Sequence, residues 1–364
     1  MSAKKTKVCI LYGGYLKNGG GVVTHIKELQ LFLHDRDVDV EVFSMDSISK
    51  FFQFAIIGSQ FLLKKIDAIT AYKIRMLLTR FVYFYKIPQS DYYFLEDYMF
   101  IYKKNKGRQT LFLHALKVDN MYDYIITEEK MNDFLNWEKS YLKDWLDITY
   151  TVSKSYSKHV ASKLKVDDIK VINNFINFNG EVANLNKPVS RNILFVGNLE
   201  ERKNPFFFID VLSKMRESFD TAFIVGREVS ISYEQLKIYA ESKLINDKIK
   251  FLHQVNKEQL FKLMDKCDVL AMPSLKESFG FVMLEAKLNN MKVIASHGLE
   301  VPNELVDKFC HLNVNDWVLC LTELLNRDNS TSIDKEVLEN FTQEYFQRKI
   351  IENDIFNSLM VIKQ

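Results

Sequence analysis

The 364 residues contain only four cysteines, Cys9, Cys267, Cys310 and Cys320, and none of them forms a C-x-x-C pair. Such usage fits neither a zinc cluster nor a disulfide framework, and reduced thiols are expected. Long apolar runs are missing too. No uninterrupted stretch reaches the roughly 18 residues of a membrane-spanning helix, and the run Val8 to Tyr12, after the lysine-rich start, is too brief for a signal-peptide core. A cytoplasmic protein with neither a span nor an export address is the expectation. Charge of one sign is also lacking, since 49 Lys and Arg face 47 Asp and Glu for a net +2. That balance argues against nucleic acid as a partner held by bulk charge. No G-x-G-x-x-G follows an expected strand, so a dinucleotide oxidoreductase loses its main support. There is no G-x-S-x-G elbow, no repeat at solenoid period and no low-complexity tract.

What is present is enough apolar material for two cores: 47% of residues are hydrophobic and 26% charged, a globular balance at a length that suits about two domains. Residues 1–187 carry 27 basic and 21 acidic side chains, leaving 22 and 26 for the remainder, so the halves differ in sign.

Lys7 to Tyr12 is a short apolar run, and Gly19-Gly20-Gly21 then precede Val22, Ile26, Leu29 and Leu33 at spacings of 4, 3 and 4. This predicts strand, glycine loop and amphipathic helix. Val38, Val40 and Val42 alternate with Asp39 and Glu41, the period of a strand. Further strands are expected at Thr110 to His114, Ile148 to Val152 and Lys170 to Ile172. The polar stretch 181–191, with Pro188, reads as a linker. Beyond it five strands are expected, Ile193 to Val196, Phe223 to Val225, Ile249 to Leu252, Val269 to Met272 and Lys292 to Ala295. Alternating strands and helices imply an α/β fold of two doubly wound parallel sheets, with ligands in a cleft at the strands' carboxyl ends. The expected division is 1–187, 188–344 and a terminal helix within 345–364, with Ile351, Ile355, Leu359 and Ile362 at helical spacing, packing back on the first domain.

The most informative stretch is Asp268 to Gly298. It reads as a strand, a loop, a helix beginning near Phe279 or Gly280, and another strand. A helix N-terminus offers free N–H groups and a positive dipole end to phosphate or sugar oxygens. Glu277 and Glu285 bracket it, eight residues apart. If the whole interval were helical they would stand about 12 Å apart along the axis, whereas a retaining glycosidase needs its carboxyl groups about 5 to 5.5 Å apart. The pair suits two contacts along one elongated ligand.

Pro-Ser-Leu-Lys-Glu-Ser-Phe-Gly-Phe (273–281), with Leu284-Glu285-Ala286 in the next helix, resembles the signature of family 4 glycosyltransferases, retaining enzymes of the GT-B fold. Gly19-Gly20-Gly21, Tyr150-Thr151-Val152-Ser153, Val171-Ile172-Asn173-Asn174 and Phe195 to Asn204 agree in order and spacing. The likeness spans most of the chain and is most specific from Ile193 to Leu305.

The resemblance implies that Glu285 holds the donor ribose, that Glu277 and His114 face the donor sugar, and that backbone amides of Phe279, Gly280 and Phe281, with Ser278, meet sugar or diphosphate. Gly20 and Gly21 join the nucleotide-sugar contacts. Lys203 matches the family's diphosphate lysine, but Asn198 stands where the family commonly has an arginine; Arg202 or Arg227 could replace it. His297, which follows the strand Val293 to Ser296, is expected to approach the nucleotide, while His25, inside the first helix, reads as structural. Implied too are a nucleotide-diphosphate sugar as donor substrate, no cofactor, no metal, and a glycan, lipid-linked or protein acceptor, as in bacterial cell-surface polysaccharide synthesis. Residues 48–86, with seven basic residues, one acid and many aromatics, add the expectation of a peripheral contact with an anionic membrane, at the inner face of the plasma membrane. A non-catalytic GT-B subunit supporting a partner transferase, and a nucleotide-sugar epimerase, are the alternatives; Asn198 favours the former.

Overall fold

The computed structural model describes residues 5–64, 67–102, 107–119, 127–177, 189–253, 255–327 and 335–352. The chain divides into two compact units, one formed by Met1–Asn177 with Asn340–Gln364 and the other by Phe178–Glu339.

The first unit is built on β1 (Lys7–Leu11), α1 (Gly21–His34), β2 (Asp39–Phe43), α2 (Lys50–Lys64), α3 (Ala68–Lys86), β3 (Tyr92–Leu95), β4 (Arg108–Leu113), α4 (Glu128–Leu142), β5 (Thr149–Thr151), α5 (Lys154–Leu164) and β6 (Lys170–Val171). Its six parallel strands run in the order β2-β1-β3-β4-β5-β6. Side chains alternate across the sheet as a two-residue period requires. Cys9, Leu11, Tyr93, Leu95, Leu111 and Leu113 join one cluster with Met76, Tyr83, Phe134 and Tyr156. Val8, Ile10, Tyr92, Phe94 and Phe112 join the other with Ile26, Leu29 and Phe32. Burial on both faces explains why these strands read as continuous apolar runs.

Sequence reading missed β3, the strand beside β1 at the centre of the sheet. All four of its residues are buried, so it shows no alternation, and the aromatic-rich segment around it hides its ends.

The second unit contains β7 (Ile193–Val196), α6 (Pro205–Lys214), β8 (Ala222–Val225), α7 (Tyr233–Ser242), β9 (Ile249–Leu252), α8 (Lys257–Met264), β10 (Val269–Met272), α9 (Phe281–Leu288), β11 (Lys292–Ser296), β12 (Lys308–Cys310), α10 (Val314–Asn326) and α11 (Lys335–Glu339). Six parallel strands again form the sheet, ordered β12-β11-β10-β7-β8-β9. Five were expected; β12 is only three residues long and too brief to carry a pattern. Ile193, Phe195, Ile224, Val269 and Ala271 pack with Phe208, Leu236, Trp317 and Leu321 into its core. The strand order is that of a doubly wound sheet with its switch point between β7 and β10, where the connections leave to opposite sides.

The chain returns to the first unit near Asn340. Phe341 O accepts from Ile176 N at 3.2 Å, and α12 (Gln343–Glu352) places Phe346 and Ile350 in the cluster of Val8, Ile26 and Phe112. The first unit therefore ends at Asn177 and resumes at Asn340, where sequence reading set its divisions at 187 and 345. Most of the linker expected at 181–191, and Ile355, Leu359 and Ile362 of the terminal helix, lie outside the described residues. Ser190 and Arg191 are described: both backbone N–H groups donate to Asp268 Oδ2, at 2.8 and 2.6 Å, anchoring the start of the second unit.

Candidate active site

In a parallel sheet all carboxyl ends point to one edge. The second unit gathers there Gly197 after β7, Gly226 after β8, the loop 273–280 after β10 and His297 after β11. The first two strand ends approach so closely that a Cβ on Gly226 would stand 1.8 Å from Gly197 O, so only glycine fits.

Glu277 lies in the loop before α9, which begins at Phe281, so the interval to Glu285 is only partly helical. Lys203 Nζ donates a hydrogen bond to Glu277 Oε2, and Arg202 Nη1 stands 3.6 Å from the same oxygen. These three side chains are 12 to 21% exposed. Burial alone would raise the Glu277 carboxyl, but Lys203 and then Arg202 outweigh it and hold it below the usual range. The loops are tied by backbone too, Leu275 N donating to Arg202 O at 2.8 Å. Arg202 further donates to Glu200 Oε1 at 2.8 Å and Lys276 O at 2.9 Å, so its guanidinium is held in place.

Gly280 caps α9 in the left-handed region (φ 73°), where a Cβ would also meet Met283 Cε at 2.9 Å. This turn aims the first amides of α9 out of the helix, the arrangement that binds anions. Phe279 and Phe281 are buried and pack ring to ring at 5.0 Å, and Ser278 is partly exposed. Glu285 is buried one turn beyond Phe281, on the same face of α9. Asn198 is partly exposed just past Gly197. Arg227 follows β8, and its buried Nε makes no hydrogen bond. His297 is exposed, its ring 4.5 Å from that of His311. The structure thus brings Lys203, Arg202 and Glu277 together at the switch point, beside the turn of Gly280.

At the corresponding edge of the first unit, Gly20 (φ 95°) caps α1, with Gly21 as its first residue; both are exposed. His114 follows β4 directly. Its Nε2 is 2.6 Å from Glu96 Oε2, and His25 Nε2 is 3.7 Å from Glu96 Oε1. Burial lowers His25 to about 4 and His114 to about 3, and raises Glu96 to about 7. These three ligand-type groups lie within 4.8 Å of one another. Yet Glu96 and His114 are already bonded, and the His25 ring sits between Phe112 at 4.9 Å and His114 at 4.8 Å, which favours a packed hydrogen-bonded unit over a metal centre. Sequence reading missed Glu96; its one signal is a carboxylate directly after a wholly apolar strand.

Lys117 Nζ pairs with Asp97, while Glu138 accepts from Lys117 N at 2.6 Å, Val118 N at 2.9 Å and Tyr98 Oη at 2.9 Å. Burial pushes Glu138 up to about 7. This network fixes the chain that follows His114.

Residues 181–314 match the family model described as "Glycosyl transferases group 1". The match takes in most of the second unit, and the chain resembles that family there. Over 189 residues it is 29% identical to the O-antigen chain mannosyltransferase RfbU of Salmonella typhimurium, the match covering 52% of each chain. The chain thus spans about half the length of this curated relative. Sucrose-phosphate synthase from Thermosynechococcus elongatus superposes with a TM-score of 0.71 at 14% identity, over 99% of this chain and 100% of that one. Anabaena HepE, solved with UDP and glucose, gives 0.66 at 15% identity, over 96% and 100%. At such identity the likeness shows the fold, which is GT-B.

Proposed function

We propose that this chain is a group 1 enzyme, a retaining glycosyltransferase that moves a sugar, of hexose type, from a nucleotide diphosphate to a glycan, lipid-linked or protein acceptor in bacterial surface polysaccharide synthesis. The observation that carries the reading is the meeting of Lys203 and Arg202 with Glu277, four residues before the start of α9, at the switch point of the second sheet. RfbU, by its name an O-antigen mannosyltransferase, supports the pathway class, and HepE, bound to UDP and glucose, supports the donor class.

The chemistry is charge stabilisation. As the bond from C1 to the phosphate oxygen breaks, negative charge grows on the diphosphate and the sugar becomes oxocarbenium-like. Lys203, Arg202 and the Phe279–Phe281 amides meet the first charge in this reading, in place of a metal. Lys203 also keeps Glu277 ionised, and that carboxylate faces the sugar. Glu285 holds the ribose, with Asn198 and Ser278 beside the donor. The acceptor oxygen forms the new bond to C1 from the face the phosphate leaves, and its proton passes to the phosphate oxygen.

Peripheral contact with an anionic membrane belongs to the same proposal. Among the described residues no helix is long and apolar enough to cross a membrane. On α2, however, Phe51, Phe54 and Phe61 are 76, 79 and 69% exposed, and on α3 Phe81 and Tyr85 are 61 and 66% exposed. Phe52, Tyr72 and Phe84 instead pack on the core. Exposed rings among lysines and arginines suit an anionic lipid surface.

The test is nucleoside diphosphate release by the full chain from a panel of UDP-, GDP- and ADP-sugars, with and without acceptor. Release from one donor supports transfer. No release from any supports the non-catalytic subunit, the reading that Asn198 favours, and release-free conversion of the sugar supports an epimerase.

A further inference from the structure

His114 offers a ligand only one of its two ring nitrogens, because Nε2 is engaged by Glu96 Oε2 at 2.6 Å. That partner is unusual. The Glu96 side chain is wholly buried, and its second oxygen, Oε1, has no hydrogen-bond partner. A buried carboxylate usually recruits several donors or a cation. Here the basic group on the Oε1 side, His25, stays 3.7 Å away and is itself enclosed by Phe112, Phe175 and Phe346. Glu96 therefore has one polar contact that matters, and that contact is His114.

We propose that Glu96 is a positioning residue for His114: through the Oε2–Nε2 hydrogen bond it sets which ring nitrogen carries the proton, and so whether Nδ1 meets a donor-sugar oxygen as hydrogen-bond donor or acceptor. The inference rests on the reading of His114 as a sugar contact. When Glu96 is a neutral acid it donates to Nε2, and the neutral imidazole carries its proton on Nδ1. When Glu96 is a carboxylate it accepts from Nε2–H, and Nδ1 becomes an acceptor. Each state is a neutral ring with one proton, so no imidazolium is needed.

The surroundings make both states accessible near neutrality. Burial holds Glu96 at about 7 and keeps both histidines uncharged far below that. The other groups that face the pair are Tyr12 after β1, Asp97 next to Glu96, and Lys117 after His114, with Glu138 of α4 behind Lys117. Lys117 is neutralised by Asp97, so it acts as a fixed background and not as a second switch.

The experiment uses the full chain labelled with ¹⁵N-histidine and long-range proton–nitrogen correlation from pH 5.5 to 8.5. In the wild type the His114 proton is expected to move from Nδ1 to Nε2 as pH rises through about 7. In Glu96→Gln, which is isosteric and cannot titrate, the shift is lost, while Glu96→Asp restores a titration. A His114 tautomer that never changes in the wild type, or that changes identically in Glu96→Gln, overturns the proposal. This measurement needs no substrate, so a chain inactive on every nucleotide sugar would fail the transferase reading and leave the tautomer result intact. With a donor that turns over, kcat/KM should lose its inflection near neutrality in Glu96→Gln; an inflection that persists overturns the link to the sugar.

Discussion

Lys203 donates to Glu277, joining the loops that follow β7 and β10 through one largely buried charge pair. Removing either partner strands the other, and breaking a buried pair costs roughly 3 kcal/mol. Arg202 remains 3.6 Å from Glu277, so Lys203→Met is expected to cost less, about 2 kcal/mol, by urea denaturation at pH 7. The sign with pH follows from the lowered Glu277 carboxyl. Its contribution is complete above the ordinary value of 4.5 and is lost as pH falls through the lower folded value. The acid limb of the stability curve should therefore flatten in Lys203→Met; an unchanged limb contradicts the pair's role.

Glu96 carries the opposite sign. Its folded value of about 7 lies above the ordinary 4.5, so its contribution is complete below 4.5 and is lost as pH rises to about 7. Glu96→Gln has no such loss. Measured against the wild type, it is expected to gain on the order of 2 kcal/mol between pH 4.5 and 7.5. The histidines are common to both proteins and largely cancel. Urea midpoints at the two pH values check it, and a difference independent of pH contradicts the burial of a titrating carboxyl.

Glu285 lies one helical turn inside α9 and is buried. Hydrogen bonds from ribose hydroxyls to a carboxylate contribute about 1.5–3 kcal/mol. Glu285→Ala should thus weaken nucleoside diphosphate binding at least about tenfold by calorimetry. Unchanged affinity would remove the ribose assignment.

The rings on α2 and α3 can be removed without touching the core because they project to solvent. Replacing Phe51, Phe54, Phe61 and Phe81 by Ser is expected to abolish sedimentation with phosphatidylglycerol vesicles at low salt and to leave the circular dichroism spectrum unchanged. A wild-type chain that never sediments with such vesicles ends the membrane proposal.

Much of this was legible in the sequence because the local signals agree with the fold. Gly280 stops the loop and starts the helix, Gly197 and Gly226 mark strand ends, and the apolar runs of β7 and β10 find both faces covered. What stayed hidden depends on tertiary packing. Tyr92 to Leu95 alternate only once two clusters exist to receive them. Glu96 looks like an ordinary surface acid until β3 is placed beside β1 and β4 and the next loop carries it under His114. The salt link from Lys203 to Glu277 joins residues 74 apart in sequence, and only the adjacency of β7 and β10 brings them together.

The most direct test of a donor site at the α9 turn is a crystal of the full chain soaked with the nucleoside diphosphate that gives the largest thermal shift among UDP, GDP and ADP. The expected result is a diphosphate within hydrogen-bond distance of the Gly280 and Phe281 amides, with the ribose hydroxyls on Glu285. Density for the nucleotide at another surface, with those amides still facing solvent, would contradict it.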